Sequence, residues 1–355
     1  MASNLRSLLR AETIAPGLAV AAYDGAGDDW DAFVASQPGS SFCHLGGWRE
    51  VMQDVLGHEP RYDVVVDPDG VWHGALPLVR VQTRLFGGLL LSMPFLNYGG
   101  PIGSVHARRL LFARALAEAR QRRTRLLELR IRGAGEASAP QARKITVTLP
   151  LPSTAEELWV SFRSKLRSQI RRPQRAGMET RFGAEHRDAF YEVFSRNMRD
   201  LGTPVLPRTF FERVARLFPQ QVTFGVVYKN STPVAAGCGF AWAGEFEMTW
   251  ASSLREISRE APNMLLYWAF MEQMIERGLR TFNFGRCTPD TGTHRFKRQW
   301  GGTDETLPWL TFSPRGRPAT PYPERPMLRA ATAAWSRLPL RVANAVGPVL
   351  ARQLP

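Results

Sequence analysis

Between Phe282 and Gly302 the chain reads FNFGRCTPDTGTHRFKRQWGG, which sets Lys297 between Phe296 and Arg298 with Trp300 close behind. A lysine held among aromatics can bind an anion, or stabilise the oxyanion that develops while an acyl group changes hands. A lysine on an exposed turn would do neither. Arg163, Lys165, Arg167, Arg171, Arg172 and Arg175 crowd a second short stretch. Guanidinium forks suit phosphate oxygens, although such a run also makes an ordinary solvated helix face. The third stretch is SMPFLNYGGP, Ser92 to Pro101, in which an apolar run ends on Asn97-Tyr98-Gly99-Gly100. Glycines there would let a ligand approach the backbone, and a plain turn has the same composition.

Several other chemistries have no residues to carry them. The sequence has no Walker loop, no dinucleotide glycine fingerprint, no His-Glu-x-x-His pair and no nucleophile elbow. Six scattered histidines form no cluster, and Cys43, Cys238 and Cys287 have neither metal spacing nor a pairing pattern. No metal site is expected, and the thiols fit a reducing compartment. The net charge of +14 favours phosphates, nucleic acid or anionic lipid as partners. The opening MASNLRSLLRAETIAPG lacks a sustained apolar run, and no window approaches the ~20 apolar residues of a membrane span. These features predict a soluble, cytoplasmic protein.

The elements that must position the three stretches repeat. RYDVVVDPDGVWHGALPLVRV is a hairpin turning at Asp69-Gly70. LLLSMP follows as a strand, ARRLLFARALAEARQRR as a helix and LLELRIRG as a strand. In the second half VTFGVVYKNSTPVAAGCGFAWAG is a hairpin turning at Asn230–Pro233, EFEMTWASS a strand, NMLLYWAFMEQMIERG a helix and TFNFGR a strand. Hairpin, strand, helix, strand occurs twice, which predicts two similar α/β domains in tandem. Between them Phe162, Leu166 and Ile170 give one apolar stripe on the arginine-rich helix, with Pro173 expected to kink or end it and Gly177 to cap it. After the proline-rich SPRGRPATPYPERP, the tail MLRAATAAWSRLPLRVANAVGPVLARQLP is apolar and basic. It suits a helix packed on the first domain or an amphipathic patch on an anionic membrane.

SKLRSQIRRPQRAGMETRFG resembles the R-x-x-I-R-R-A-x-x-x-G helix of the FemAB-related transferases, and FNFGRCTPDTGTHRFKRQWGG resembles their F-D-F-G-R-S-T-x-x-S-G-T-x-x-F-K-x-x-W-G segment. LPLVRVQTRLFGGLLLSMPFLNYGGP and the tail from Trp335 resemble a narrower subgroup, associated with exosortase (PEP-CTERM) and exopolysaccharide systems. The resemblance implies two GNAT-like (acyl-CoA N-acyltransferase-like) domains with mixed sheets flanked by helices, in residues 1–150 and 151–315. Residues 316–355 would be the linker and tail. It implies transfer of an acyl or aminoacyl group to an amine of a cell-envelope precursor, with no bound cofactor and with acyl-CoA or aminoacyl-tRNA as co-substrate.

In the family the Phe-Lys pair lies at the reaction centre, which implies catalytic roles for Phe296 and Lys297. Arg167, Arg171, Arg172, Arg175, Asn97, Tyr98, Arg286 and Trp300 complete the expected substrate-binding set, with Asn97–Gly100 lining an acceptor cleft. The chain departs from the pattern at Asn283 (for Asp), Cys287 (for Ser) and Pro173 (for Ala). Cys287 has no histidine near it in sequence and reads as a substituted serine rather than a nucleophile. No general base is evident; Asp290, Glu247 and Asp304 are the acids to test. A different class stays open: an idle scaffold at the inner membrane face, with a degenerate first domain and a lipid-binding tail.

Overall fold

A computed structural model describes residues 17–23, 25, 27–84, 87–122, 124–132, 144–317 and 326–354. The expectations for residues 1–16 and for most of the proline-rich linker fall outside these. The chain divides into two compact units, one of Met1–Lys144, Thr306–Pro323 and Arg352–Pro355, the other of Ile145–Glu305 and Glu324–Ala351.

The first unit is a seven-stranded mixed sheet built on the expected hairpin, β2 (Glu59–Val66) and β3 (Trp72–Thr83). β1 (Ala19–Tyr23) pairs with β2, and the two-residue β5 (Ile102–Gly103) pairs with β3. β4 (Gly87–Ser92) lies antiparallel to β3 and parallel to β6 (Leu126–Arg130). The crossover between those two contains a helix, Val105–Gln121, that starts at Ser104, whose hydroxyl accepts from the Ala107 amide. Its apolar face, Ala107, Leu111, Ala115 and Ala119, buries against Val65, Leu76, Leu78, Leu90 and Leu127. Helix Gly27–Ser36 precedes a short helix, Gly47–Glu50, that widens into a π-turn over Val51–Val55.

The second unit has the same plan. β9 (Val222–Lys229) and β10 (Thr232–Trp242) form its hairpin, turning through Asn230 and Ser231, both at positive φ. β11 (Glu245–Ser253), the helix Pro262–Glu276 and β12 (Thr281–Cys287) follow, with β11 parallel to β12. The helix is buried nearly all round, with Leu266, Phe270, Met271 and Met274 against Phe246 and Phe282. Its low amphipathicity follows from coverage on several sides by β8 (Met178–Phe182), β9, the helix Ala155–Ser161 and the arginine-rich helix Ser164–Arg175.

The strand order corrects the expected boundaries. β7 (Lys144–Pro150) lies beside β12, and β13 (Thr303–Leu307) beside β7, so the second sheet begins within residues assigned from sequence to the first domain. Conversely β14 (Trp309–Phe312) crosses back to pair with β6. Each sheet thus takes one strand from the far side of the expected border. Of the two expectations for the tail, packing on the first domain does not hold for its last helix. Helix Leu340–Ala351 packs within the second unit, with Ala343 and Gly347 buried and Asn344 donating to the Ser195 hydroxyl at 3.4 Å on helix Arg187–Asp200. Among the described residues no helix is long and apolar enough to cross a membrane.

Candidate active site

In the second unit β11 and β12 pair only from Glu245–Glu247 to Thr281–Asn283, although both strands continue beyond. A bulge on β12 accompanies the parting. Gly285 takes a φ of 71°, and the register with β7 shifts between Asn283 and Arg286. Asn283, fully buried, holds this bulge. Its Oδ1 accepts from the Gly285 amide at 2.8 Å and from the Thr146 hydroxyl, and its Nδ2 donates to Glu245 at 2.9 Å. An aspartate could accept both bonds but could not donate to Glu245.

At the bulge Lys297 reaches two successive backbone carbonyls. Its Nζ donates to the carbonyl of Gly285 at 2.6 Å and to that of Arg286 at 3.0 Å. The lysine is 4% exposed. Burial lowers its pKa from 10.5 to about 8; Cys287 and Glu247 pull upward, and Arg286 pushes further down. Two of the three ammonium N–H groups are thereby used.

Lys297 is presented by a seven-residue helix, Gly292–Arg298. The Thr291 hydroxyl caps it by accepting from the His294 amide at 3.3 Å. His294 accepts from the Asp290 amide at Nδ1 and bonds the Asp304 carboxylate through Nε2, both at 3.1 Å. With both ring nitrogens engaged, this pair braces the helix rather than offering a base. The Asp304 carboxylate thus serves the brace, Asp290 enters it only through its backbone amide, and Glu247 is buried on β11 beside Lys297.

A cavity of about 310 Å³ opens beside this helix. Its walls come from Ser252 and Ser253 on β11, Asn263 and Tyr267 on the buried helix, Asn197, and Thr293 with Phe296. No lining residue is charged. Phe296 meets Tyr267 edge-on at 5.0 Å, and burial raises the Tyr267 phenol well above its ordinary pKa, so it stays protonated. The residues named from sequence divide accordingly. Phe296 lines the cavity and Lys297 lies next to it in the chain, while Arg286 is exposed at the end of β12. Trp300, 1% exposed, packs among Phe162, Phe284 and Phe296 and is a core residue rather than a ligand contact.

The arginine-rich helix runs to Arg175 and passes through Pro173 without ending there, because Pro173 sits in its last turn. Arg171 stacks on the Trp159 ring at 5.0 Å, and Arg167 donates to the Trp159 and Val160 carbonyls. Arg172 donates to the Arg259 carbonyl at 3.1 Å, next to the start of the buried helix at Pro262. Arg175 is exposed.

Asn97 and Tyr98 belong to the first unit and are 7% and 1% exposed. They pack its interior, where the Asn97 carbonyl accepts from the Trp309 indole at 3.1 Å. Their burial corrects the expectation that they present side chains to an acceptor. The first unit's own cavity, about 350 Å³, lies instead by the Gly47–Val55 helix among Tyr23, Arg49, Glu50, Gln53, Asp54 and Tyr62.

Sequence reasoning missed Asn197, Ser252, Asn263 and Tyr267. They come from separate elements, and only Asn263, directly after a helix-starting proline, had a local signal.

Residues 160–298 match the acetyltransferase (GNAT) domain model. No curated protein matches the sequence. Among solved structures, that of FemX is similar at a TM-score of 0.61 with 14% identity, over 81% of this chain and 95% of that one. The L-PGS structure from Bacillus licheniformis gives 0.54 at 14% identity over 88% and 98%. A C-terminal domain of a putative lysylphosphatidylglycerol synthetase from Agrobacterium fabrum gives 0.52 at 11% over 79% and 88%. The fold is a tandem pair of GNAT-like α/β units, and the matched domain contains the parted strands, the cavity and Lys297.

Proposed function

We propose that the second unit is an acyl-transfer centre that moves an acyl or aminoacyl group from a phosphate-bearing donor to an amine of a cell-envelope precursor, in the cytoplasm. The observation that carries this reading is the parting of β11 and β12, with an uncharged cavity at Phe296 and a desolvated lysine on the adjoining residue. The thioester or ester carbonyl enters the cavity. The acceptor nitrogen attacks the carbonyl carbon, forming the C–N bond. The third N–H of Lys297 stabilises the oxyanion while Phe296 fixes the acyl group. Collapse breaks the C–S or C–O bond, and the thiol or ribose hydroxyl leaves with the proton lost by the amine, passed through water. His294 is excluded as the relay by its two existing bonds.

The donor's phosphates would lie along Arg171, Arg172 and Arg175, close to the amino end of the buried helix, where the peptide dipoles favour negative charge. Arg286 is placed to meet a further phosphate or the acceptor. Acyl-CoA is favoured as donor by the matched domain, and aminoacyl-tRNA by the Phe-Lys segment. The likeness of Leu76–Pro101 and the tail to exosortase-linked proteins favours an exopolysaccharide acceptor over a peptidoglycan one. Native mass spectrometry against acetyl-CoA, longer acyl-CoAs and charged tRNA tests the reading. A stoichiometric complex with one of these, and transfer that is lost in Lys297→Ala, is the expected outcome. A well-folded protein that binds none of them contradicts it.

A further inference from the structure

Helix Leu340–Ala351 buries one face, Ala343, Gly347 and Ala351, and turns another outward. Val342, Val346 and Val349 are 44%, 43% and 62% exposed at a spacing that stacks them on one helical stripe. They are three of the seven strongly exposed large hydrophobics among the described residues. Leu201, another of the seven, ends helix Arg187–Asp200, and the next residue, Gly202, lies against Thr332 in the preceding helix Pro326–Trp335.

The charge around it has one sign. From residue 326 to the end the chain has four arginines and no acid. Arg337 and Arg341, beside the stripe, are exposed. Asp200, at the end of helix Arg187–Asp200, is held by Arg199 at 2.6 Å, and Arg199 also donates to the Leu338 carbonyl. At twelve residues the helix is too short to span a bilayer.

We infer that this face rests on an anionic lipid surface, with the three valines in the interfacial layer and Arg337 and Arg341 on lipid phosphates. A second copy of the chain is the poorer occupant, because a two-fold contact would bring the same basic face against itself. An anionic membrane supplies both the apolar layer and the opposite charge. The inference is independent of the transfer chemistry, since lipid binding needs no donor.

The test is flotation of the full chain with vesicles of phosphatidylcholine alone and of phosphatidylcholine mixed with phosphatidylglycerol. The protein is expected to float only with the mixed vesicles, and less as salt is raised. Val342→Ser, Val346→Ser and Val349→Ser combined should weaken this at least tenfold, and Arg337→Ala with Arg341→Ala several-fold. Val71→Ser, equally exposed in the first unit, should change nothing. These side chains are outside the core, so the melting temperature checks that the variants fold. Absence of binding to mixed vesicles, or undiminished binding by the triple valine variant, overturns the inference. So does a dimer that the valine variant dissociates without any lipid binding by the parent.

Discussion

The two units solve the same geometric problem differently. Each has a parallel strand pair that registers over three residues and then parts, with a helix in the connection. Each places a buried cation at the parting and feeds it backbone carbonyls. In the first unit the cation is Arg130, whose Nη1 donates to Met93 at 2.9 Å and Leu96 at 2.7 Å, so β6 is laced to the loop after β4. Glu128 neutralises it through two contacts of 2.9 Å, and Trp309 covers its face at 4.2 Å. Four of its five N–H groups are thus engaged, against two of three on the lysine of the second unit. In the second unit Lys297 donates to two carbonyls, burial depresses its pKa, and a cavity opens at Phe296, the preceding residue. A paired, fork-shaped cation laces two strands together; in the proposed reading, a desolvated ammonium with a donor to spare keeps it for charge that appears only during reaction.

The sharpest way to break this contrast is to remove each cation in turn. Lys297→Met should lower transfer by about 100-fold or more, the size of losing one oxyanion donor. It should change stability little, because losing the donor to the Gly285 and Arg286 carbonyls is offset by removing a desolvated charge. A lysine moved from 10.5 to about 8 costs on the order of 3 kcal/mol at neutral pH, which an apolar side chain avoids. Urea melts beside initial rates measure both. Arg130→Met should do the reverse, costing about 3–5 kcal/mol by stranding Glu128 while leaving donor affinity of the folded protein unchanged. Adding Glu128→Leu should restore most of that stability.

A smaller effect sharpens the role of charge. If Lys297 acts as the ammonium, transfer falls as pH rises through about 8. Stability moves the other way. From about 8 to 10.5 the unfolded chain binds the proton that the folded protein has released, so unfolding free energy climbs with pH over that window. A pH series of rates and melts should therefore diverge in wild type and not in Lys297→Met. Asn283→Asp should cost about 1–3 kcal/mol by setting a second carboxylate against Glu245. Smallest, Arg171→Ala or Arg175→Ala should each weaken donor binding a few-fold, less so at high salt.

Much of the fold was legible because it is written in periodicity. The hairpins at Asp69-Gly70 and Asn230-Ser231 and the helices at 105–121 and 262–276 have strong local signals. The strands that cross the expected border were not legible. Lys144–Pro150 and Trp309–Phe312 are short, and their partners are fixed by long-range pairing that no local pattern records. The site was half legible. The Phe-Lys segment stood out, but its seven-residue helix is defined by a threonine cap rather than by apolar spacing. Asn97, Tyr98 and Trp300 looked like ligand contacts, since glycine-flanked and aromatic residues serve interiors and binding sites alike. Asn283 looked like a lost acid, and its value as a donor to Glu245 appears only once the bulge is seen.

Hydrogen exchange with and without the donor identified by mass spectrometry tests most directly whether the second unit alone carries the chemistry. Protection is expected in peptides covering Ala251–Ser253, Asn263–Tyr267 and Gly292–Phe296, with none across Met93–Gly103 or Leu126–Arg130. Donor protection of the first unit's strand ends, with the second unit unchanged, would contradict the account.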